Sequence, residues 1–591
     1  MVRRHGALQP VSWEEALSAL AEGLRAASDR GGADSIGFLG SARASNEDNL
    51  ALARLARQCV GTNNVDFSPR LGLDLRVGWG WRGTREGGID PSRYDLVLVA
   101  EGDLCTETPV LAGHLIDAAR RGLPLVVMGP RRTQLAESAS TWLQFRPGGG
   151  AWALMAVLRL LSREHREWVS GFGKADEAAR AWVHGLDAPG AAAAAGLTVE
   201  TVSAVADMLA SAERVLLVYS HTYGFSVSGE QAVSALLALG AWSGLVAGRR
   251  FDVVCSSTYP NGVGARAAGV IPHALRGRGD ECPDGERLAA RWGCALPERQ
   301  GAAFPAMLEK VKCLYVMQDD PLRHAVEPER MRACLEQTDF MVVQDFLSTE
   351  LEQYADVVLP CAGPGEYLGT MVTMGGLVQM QRAAVKPPGQ ALPAWQALGR
   401  LAEALGADWK WDSAEQAFED LAAVVPAFEG VNLDAVAQDK AHLQPSRATG
   451  AIPPLGPLAE TETPDAEYPL IVLADATLEF LASDPVTAHS ATLGREILVP
   501  IVKRVAGMTL VHPKLMQSLE VRRGTAVRLS TRQGSVELPI AGSEAVAEGL
   551  VLLPHAVALQ HAGTLGMRQA GRGEGMRLAP RAAKVEVMQK R

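Results

Sequence analysis

The sequence predicts an α/β protein with two interleaved, doubly wound, Rossmann-like domains and a C-terminal β-barrel of the double-psi type. Short, uniformly apolar segments recur up to residue 360, as expected for parallel strands that helices cover on both faces. Amphipathic segments separate several of these strands, which gives the strand–helix–strand order of doubly wound sheets. After residue 467 the pattern changes to short strands broken by glycine turns, which predicts a separate β domain.

Each element follows from its local pattern. Two amphipathic segments, 46–61 and 108–122, are predicted helices, and the second ends on arginines and a glycine, a typical helix stop. Four C-terminal segments, "PLIVLAD", "MTLVHP", "TAVRLSTRQGSVELPIAG" and "GLVLLPH", are predicted strands, with a hairpin turn at "RQGS". The predicted buried strands of the first part are 35–40, 94–102, 123–130, 214–220, 313–318, 340–345 and 355–360.

Composition narrows the class of protein. The 591 residues, 47% hydrophobic and 21% charged, fit an ordinary multi-domain globular chain. A net charge of −10 argues against a nucleic-acid partner, which favours a basic face. The longest apolar runs have strand length, far below the roughly 20 residues that a membrane span needs. The N-terminus lacks the apolar core of a secretory signal. We therefore expect a cytoplasmic protein, or one held at the cytoplasmic face of the inner membrane through a complex.

Common catalytic and metal-binding motifs are absent from the sequence. The eight cysteines form no CxxC pair, so zinc and iron–sulfur spacings are missing and the thiols are expected to be inert. No GxSxG, HExxH or Walker loop occurs, and no GxGxxG follows a strand. Five histidines are predicted to be structural rather than ligands: His221, His273, His512, His555 and His561.

Four polar loops each follow a predicted strand. In open α/β sheets, ligands bind outside the carboxyl ends of the strands, and arginines or helix N-termini there suit phosphate. The loops would suit a large phosphate-bearing cofactor, although solvated loops are polar in any protein. They are "GSARASNE" (40–47), "GPRRTQLA" (129–136), "QDDPLRH" (318–324) and "QDFLSTE" (344–350).

The order of segments resembles the molybdopterin oxidoreductase superfamily. Four segments are each similar to a segment of that family. They are the opening "RRHGALQPVSWEEAL", the segment "NEDNLALARLARQCVGTNNVD" that leads to the family's active-site loop, the segment "PLVVMGPRRTQLAESASTWLQFRPGGGAWAL" and the loop "NGVGARAAGVIPHALRG". The most specific match is "QDFLSTELEQYADVVLPCAGPGEYLGTMVTMGGLVQMQRAAVKPPGQALPAW". The C-terminal "HPKLMQSLEVRRGTAVRLSTRQGSVELPIAGSEAVAEGLVLLP" resembles the dinucleotide-binding barrel. The superfamily includes formate dehydrogenases, nitrate reductases and the large iron–sulfur subunit of bacterial NADH-quinone oxidoreductase, or complex I.

The resemblance implies a discontinuous domain organisation. Residues 1–72 and 316–445 would form one α/β domain, with residues 73–315 inserted as a second. Residues 446–466, rich in proline, threonine and acids, would be a linker, and residues 467–591 the barrel domain. Members with an iron–sulfur domain carry it before the opening segment, and no cysteine precedes Cys59 here, so no cluster is expected.

The chain departs from the family at positions that face the cofactor. Gly72 and Leu73 stand where the family has a cysteine or selenocysteine metal ligand and a histidine. Gly129 and Gly150 replace the acids of "DPRRT" and "RPGTD", whose carboxylates would accept N–H bonds from guanine. In the family's "GTxxNxEGRxQ", the Asn, Glu and Arg are here Thr373, Gly375 and Leu377. Polar groups are costly in a site that has lost its ligand, so these small and apolar residues indicate a retired site.

Three functional hypotheses follow from the resemblance. The main one is a non-catalytic scaffold subunit of a complex I-like assembly, which binds iron–sulfur and NADH-oxidising subunits and has no metal centre of its own. The segment "GIDPSRYDLVLVAEGDLCTETPVLAGHLIDAARRG" resembles that branch. The alternative is an active, formate dehydrogenase-like oxidoreductase with molybdenum or tungsten, no protein thiolate ligand and a separate iron–sulfur subunit. A third is a protein that binds a pterin dinucleotide without redox turnover.

The alternative hypothesis assigns binding residues by resemblance. If molybdopterin guanine dinucleotide is bound, one half of the cofactor would contact the residues of "PRRT". Polar residues from later in the chain would line the other half, and Gly72 would face the metal. The residues are Arg131, Arg132 and Thr133 for the first half, and Asn261, Asp345 and Gln379 for the other.

Overall fold

A computed structural model describes most of the chain, which forms two compact units. The described residues of Met1–Leu71 and Tyr259–Thr449 belong to the first unit, and those of Ile89–Thr258 and Gly450–Arg591 to the second. The described part is the whole sequence apart from residues 69–88, 165–176, 245–248, 257–258, 274, 276–282, 410, 445–461, 476–489, 491–506, 571–575 and 589–591.

The first unit is centred on a seven-stranded sheet. Its strands, numbered along the chain, are β1 (Val2–Arg4), β2 (Ala7–Gln9), β3 (Ile36–Leu39), β4 (Val65–Asp66), β10 (Cys313–Met317), β11 (Phe340–Asp345) and β12 (Val357–Pro360). The order is β2-β1-β12-β11-β10-β3-β4. All strands from β12 to β4 are parallel, and the β1–β2 hairpin closes the other edge antiparallel. The chain reverses its direction of winding between β3 and β10, which is the switch point where ligands bind in such sheets.

Amphipathic helices cover this sheet. Ser12 caps the first helix, Trp13–Gly31, by accepting a hydrogen bond from the Glu15 amide, and the helix buries leucines on one face. A smaller sheet, β13 (Gly369–Val372), β14 (Leu377–Gln381) and β15 (Ala441–His442), completes the unit. The further helices are Asn46–Arg54 with its π-helical extension Leu55–Val60, Gly262–Ala267, Gly285–Trp292, Ala306–Lys310, Pro321–His324, Pro328–Glu336, Ala394–Ala404, Ala414–Val424 and Leu433–Ala437.

The second unit contains a five-stranded parallel sheet. The strands are β5 (Leu96–Ala100), β6 (Leu125–Met128), β7 (Thr141–Leu143), β8 (Arg214–Ser220) and β9 (Arg250–Ser256), in the order β7-β6-β5-β8-β9. The switch point of this sheet therefore lies between β5 and β8. Its helices are Leu104–Glu107, Pro109–Arg120, Gln134–Glu137, Gly150–Glu164, Glu177–Gly185, Ala188–Ala195, Val199–Ser211 and Gly229–Gly244.

A closed six-stranded barrel also belongs to the second unit. Its strands are β16 (Leu470–Asp475), β17 (Thr509–Val511), β18 (Ala526–Ser530), β19 (Ser535–Gly542), β20 (Leu550–Pro554) and β23 (Arg581–Val587). Helices Pro513–Ser518 and His555–His561 and the hairpin of β21 (Arg568–Ala570) and β22 (Met576–Leu578) accompany it. The inward-facing side chains of the strands, among them Val472, Val527 and Leu552, are fully buried.

The predicted fold class is confirmed: two α/β sheets precede a closed C-terminal barrel. The helix predicted at 46–61 is α-helical to Arg54 and continues in π geometry to Val60. The predicted linker 446–466 lies largely outside the described residues, and the domain boundaries stay predictions.

In the described part of the chain, no single helix has the length and apolarity to cross a bilayer. The bent pair Ala188–Ala195 and Val199–Ser211 reaches that length only together, and its apolar side chains pack into the second unit's core.

Candidate functional site

Polar side chains are buried at the carboxyl ends of β3, β10 and β11, beside the switch point of the first unit. Arg43, in the loop after β3, donates a hydrogen bond to the Gln318 carbonyl oxygen at 3.3 Å. Burial raises the pKa of Asp319 to about 6 and that of Asp345 to about 7, although the Arg43 charge opposes both shifts. Gln344, in β11, accepts a bond from the Tyr315 hydroxyl. The strand ends thus form a buried, predominantly acidic cluster.

A chain of hydrogen bonds leads from a tyrosine to Asp319. The Tyr259 hydroxyl lies 2.6 Å from His324 Nε2, and His324 Nδ1 lies 2.6 Å from the Ser68 hydroxyl. Ser68 donates to Asp319 Oδ1 at 2.6 Å, while its backbone N–H donates to Oδ2. Since the serine proton goes to the carboxylate, the serine oxygen accepts from Nδ1, while the tyrosine hydroxyl and Nε2 share the remaining hydrogen bond. His324 Nδ1–H therefore donates to the serine oxygen, and the imidazole links Tyr259 to the Ser68–Asp319 pair.

Two adjacent acids are buried at the start of the helix Asn46–Arg54. Glu47 accepts bonds from both the amide and the hydroxyl of Thr370, at 2.8 and 2.7 Å. Burial raises the pKa of Glu47 to about 7 and also raises the pKa of Asp48. Asp48 accepts from the Tyr367 hydroxyl and the Trp395 amide. These acids join the helix to β13 and to the helix Ala394–Ala404, so they are structural as well as charged.

Asn261, predicted to contact a cofactor, is fully buried and positions backbone. Its amide group donates to the Ala44 carbonyl at 2.7 Å, and its oxygen accepts from the Val372 amide at 2.7 Å. A Cβ added to Gly264 would lie 2.0 Å from the side-chain oxygens of both Asn261 and Asn46. Only glycine fits this place, and Asn46 Oδ1 there has no hydrogen-bond partner among the described residues.

The "NNVD" motif is a clamp between segments of the first unit. Asn63 donates to the carbonyls of Pro297 and Arg299 at 2.8 Å each and accepts from the buried Arg57 guanidinium at 2.9 Å. Asn64 likewise binds backbone groups of residues 34, 36 and 302, and Asp66 accepts from the amide of residue 304. The motif therefore fixes neighbouring segments of the first unit relative to one another.

The second unit has a pocket at the carboxyl end of its sheet. Glu101 follows β5 and Tyr223 follows β8, so the two residues stand on either side of the switch point. The described lining residues include one carboxylate, Glu101, and one guanidinium, Arg131. Apolar lining comes from the end of β6 and from the barrel with its accompanying segments. The lining consists of Glu101, Gly102, Val127, Met128, Gly129, Pro130, Arg131, Thr133, Gly148, Thr222, Tyr223, Ser226, Leu473, Ala474, Leu552, His555, Met567, Leu578, Ala579 and Pro580.

Two of the three predicted "PRRT" residues line this pocket. Arg131 pairs with Asp103 at 3.1 Å, and Thr133 lines the wall while its hydroxyl caps the following turn. Arg132 is not among the lining residues; its backbone N–H donates to the Ala545 carbonyl. The helix after Thr133, Gln134–Glu137, is a single turn, so the expected helix-dipole contribution to phosphate binding is small.

A buried glutamate supports the pocket from behind. Glu107 accepts hydrogen bonds from the hydroxyls of Ser220 and Ser256 and from the Asp103 backbone amide. Burial raises its pKa. His221 and His555 are both buried, and desolvation lowers the pKa of each to about 4, so both are neutral.

The remaining predicted site residues have varied surroundings. Asp345 is half-buried at the end of β11, at the edge of the acidic cluster. Gln379, on β14, is exposed and faces Asp439 at 3.5 Å. Gly72 and Leu73 lie outside the described residues. No group of three metal-binding side chains occurs in the part of the chain that the structure describes.

Several site residues were missed from the sequence. Glu101 and Ser220 lie in predicted strands without an assigned role, and Glu107 was noted only within the segment that resembles the complex I branch. Ser68 and Tyr259 are single hydroxyl-bearing residues whose roles depend on neighbours more than 60 positions away. The one available signal was position: Glu101 lies at the end of a predicted strand, where ligand-binding side chains concentrate.

Comparisons with known proteins add a family assignment to this geometry. Residues 1–404 match the model of the molybdopterin oxidoreductase family, and residues 485–571 match that of the molydopterin dinucleotide binding domain. The chain is 26% identical over 590 residues to the F420-dependent formate dehydrogenase subunit alpha of Methanocaldococcus jannaschii, covering 94% of this chain and 85% of that protein. It is 27% identical over 455 residues to formate dehydrogenase H of Escherichia coli, covering 73% of this chain and 63% of that one.

A solved structure supports the fold. Acetylene hydratase from Pelobacter acetylenicus superposes with a TM-score of 0.71 at 17% identity, over 99% of this chain and 90% of that one. These two relatives are named as formate dehydrogenases, whereas the sequence resemblance predicted a chain nearest to the complex I subunit. The comparisons thus favour the formate dehydrogenase-like alternative over the complex I scaffold.

Proposed function

Since the chain belongs to the molybdopterin oxidoreductase family, we propose that it is the cofactor-binding subunit of a formate dehydrogenase-like oxidoreductase. It would hold pterin dinucleotides with molybdenum or tungsten and pass electrons to a separate iron–sulfur subunit. The relatives support this proposal, because one is named as a subunit alpha of a formate dehydrogenase. The match to a dinucleotide-binding domain model supports the cofactor class.

The observation that carries the proposal is the buried acidic cluster of the first unit. A site that had lost its ligand would be expected to replace buried charges by apolar groups, because burial of a carboxylate is costly. Instead, Asp319 remains fully buried and Asp345 half-buried, both with raised pKa values. The Gln344 amide nitrogen and Asn46 Oδ1 are buried polar atoms without a hydrogen-bond partner among the described residues. Such groups fit a polar ligand.

Residues of the two units would contact different groups of the cofactor. In the second unit, Arg131 and Thr133 would bind phosphate and ribose oxygens, and the Asp103 carboxylate would hold the Arg131 guanidinium in place. In the first unit, Asp345 would accept N–H bonds, while Asn261 would fix the backbone around the site. When bound, such a cofactor supplies two-electron redox chemistry at its metal.

A scaffold role is the second candidate, and one observation favours it. Gly72 and Leu73 offer no ligand side chains where the family pattern has cysteine and histidine. In that case the chain would hold iron–sulfur and NADH-oxidising subunits of a complex I-like assembly at the cytoplasmic face of the membrane, with no metal centre of its own.

One experiment separates the two candidates. The full chain, purified from its native host with its partners, is analysed for molybdenum and tungsten, for acid-released oxidised pterin and for formate-dependent reduction of a viologen dye. The proposal expects metal and pterin near stoichiometric levels and dye reduction with formate. Arg131→Ala should lower pterin content at least tenfold, whereas Arg120→Ala, an exposed arginine of the same unit, should not. Absence of both metal and pterin from protein that retains its partners would refute the proposal and favour the scaffold.

A further inference from the structure

We propose that Glu101 selects the base of the nucleotide that binds in the second unit's pocket, by accepting two N–H bonds from the edge of a guanine. This inference rests on the proposed function, because it concerns the same pocket. It differs from the sequence-based prediction, which found the carboxylates at this site lost at Gly129 and Gly150 and assigned no residue in their place.

The Glu101 carboxylate lies beside the point where a side chain at position 150 would begin. A Cβ added to Gly150 would lie 3.3 Å from Glu101 Oε2, 3.3 Å from the Tyr223 hydroxyl and 3.1 Å from the Phe145 ring. A longer acidic side chain at position 150 would therefore compete with Glu101 for the same space. The glycine accommodates a carboxylate that arrives from the end of β5 instead.

The backbone holds Glu101 in an unusual conformation. Its φ is +58°, in the left-handed region that residues other than glycine rarely adopt. The Glu101 N–H donates to the Met128 carbonyl at 2.8 Å, and Gly102 follows with φ +86°. A Cβ on Gly102 would lie 2.4 Å from the Ser220 Cβ, so this turn is closely packed. Strained residues of this kind persist where the surroundings fix them, commonly at ligand-binding positions.

The charges of the pocket are arranged for a ligand with two different ends. Glu101 is the one acid and Arg131 the one guanidinium among the described lining residues, and His555 is neutral. Arg131 is fixed by Asp103, whose backbone N–H is in turn held by the buried Glu107. A ligand that offers N–H donors at one end and an anionic group at the other matches this pattern, and a nucleotide has both.

Guanine matches the carboxylate better than other bases do. Its N1–H and 2-amino group present two adjacent donors, which a carboxylate accepts in a bidentate pair. Hypoxanthine lacks the 2-amino group and offers only N1–H. Adenine presents a donor beside an acceptor, which a carboxylate cannot satisfy. A hydrogen bond to a charged group corresponds to a discrimination of about 10- to 100-fold between guanine and hypoxanthine.

Binding of GDP and IDP to the full chain tests this inference. The protein is produced in a host that makes no molybdopterin, and the dissociation constants are measured by calorimetry. Wild-type protein should bind GDP at least tenfold more tightly than IDP. Glu101→Gln preserves side-chain size but presents an amide donor to the base, so it should bind both nucleotides with equal affinity. Glu537→Gln, on the exposed face of the barrel, should behave as wild type. Arg131→Ala should weaken both nucleotides alike, which would locate binding in this pocket.

The outcomes separate this inference from the proposed function. A preference for GDP that survives in the Glu101→Gln variant, equal binding of GDP and IDP by wild type, or binding of neither nucleotide would each overturn the role of Glu101. The proposed function is judged independently, by the metal and pterin content of protein from the native host. Thermal melting of every variant confirms that the fold is retained, so that a loss of preference reports on the carboxylate.

Discussion

Replacing Glu47 by glutamine should make the protein more stable at neutral and alkaline pH. Glu47 is fully buried, and its folded-state pKa of about 7 compares with an ordinary value of 4.5. Because the folded-state value is the higher one, the associated stability is present below pH 4.5 and is lost as pH rises through 7. At roughly 1.4 kcal/mol per pH unit, the loss is about 3 kcal/mol. Glu47→Gln removes this loss and retains an oxygen for the Thr370 amide and a donor for its hydroxyl.

Urea unfolding followed by tryptophan fluorescence at pH 5, 6, 7 and 8 measures this effect. The free energy of unfolding of Glu47→Gln, relative to wild type, should increase by about 2 to 3 kcal/mol between pH 5 and pH 8. Glu22→Gln, at an exposed position of the helix Trp13–Gly31, provides the control and should show no such trend. A difference that does not depend on pH, or a Glu47→Gln variant that is less stable than wild type at pH 8, would refute the reasoning.

Two further predictions concern buried hydrogen bonds. Asn63→Ala should lower the free energy of unfolding of the first unit by about 3 to 5 kcal/mol, because it leaves Arg57 and two backbone carbonyls without their partner. A loss below about 1 kcal/mol in urea unfolding would contradict the clamp role of the motif. Tyr94→Phe removes a 2.6 Å bond to the buried Asp252 carboxylate in the second unit. It should cost about 1.5 to 3 kcal/mol, and an unchanged unfolding midpoint would show that the bond contributes nothing net.

The α/β sheets were predictable because their strands are buried on both faces. The segments 214–220 and 340–345 were predicted with the bounds that the structure has, since uninterrupted apolar runs mark such strands clearly. The hairpin of β1 and β2 was not predicted as strands, because three-residue strands with exposed arginines carry no periodic signal. Short edge strands are set by their neighbours rather than by their own composition.

The candidate site was predictable in part. Polar loops after strands identified the segments around Arg131 and Asp319, because ligand-binding residues follow the strands of such sheets. The sequence could not reveal Glu101, since its role depends on a left-handed backbone and on a glycine 49 positions later. Reading Gly150 alone suggested a lost carboxylate, whereas the structure shows another carboxylate beside the same point. Compensation between positions that are distant in sequence is invisible without coordinates.

The seven-stranded sheet combines strands from two separated parts of the chain, and this has a consequence for biosynthesis. Strand β3 pairs on one side with β4 and on the other with β10, whose first residue, Cys313, aligns with Ile36. At a translation rate of roughly 5 to 20 residues per second, about 15 to 55 s pass between the synthesis of β3 and that of β10. During this interval the five-stranded sheet of the second unit is synthesised in full, while an apolar strand edge of the first stays open. A nascent chain of this kind exposes an apolar strand edge for longer than one whose neighbouring strands follow each other directly.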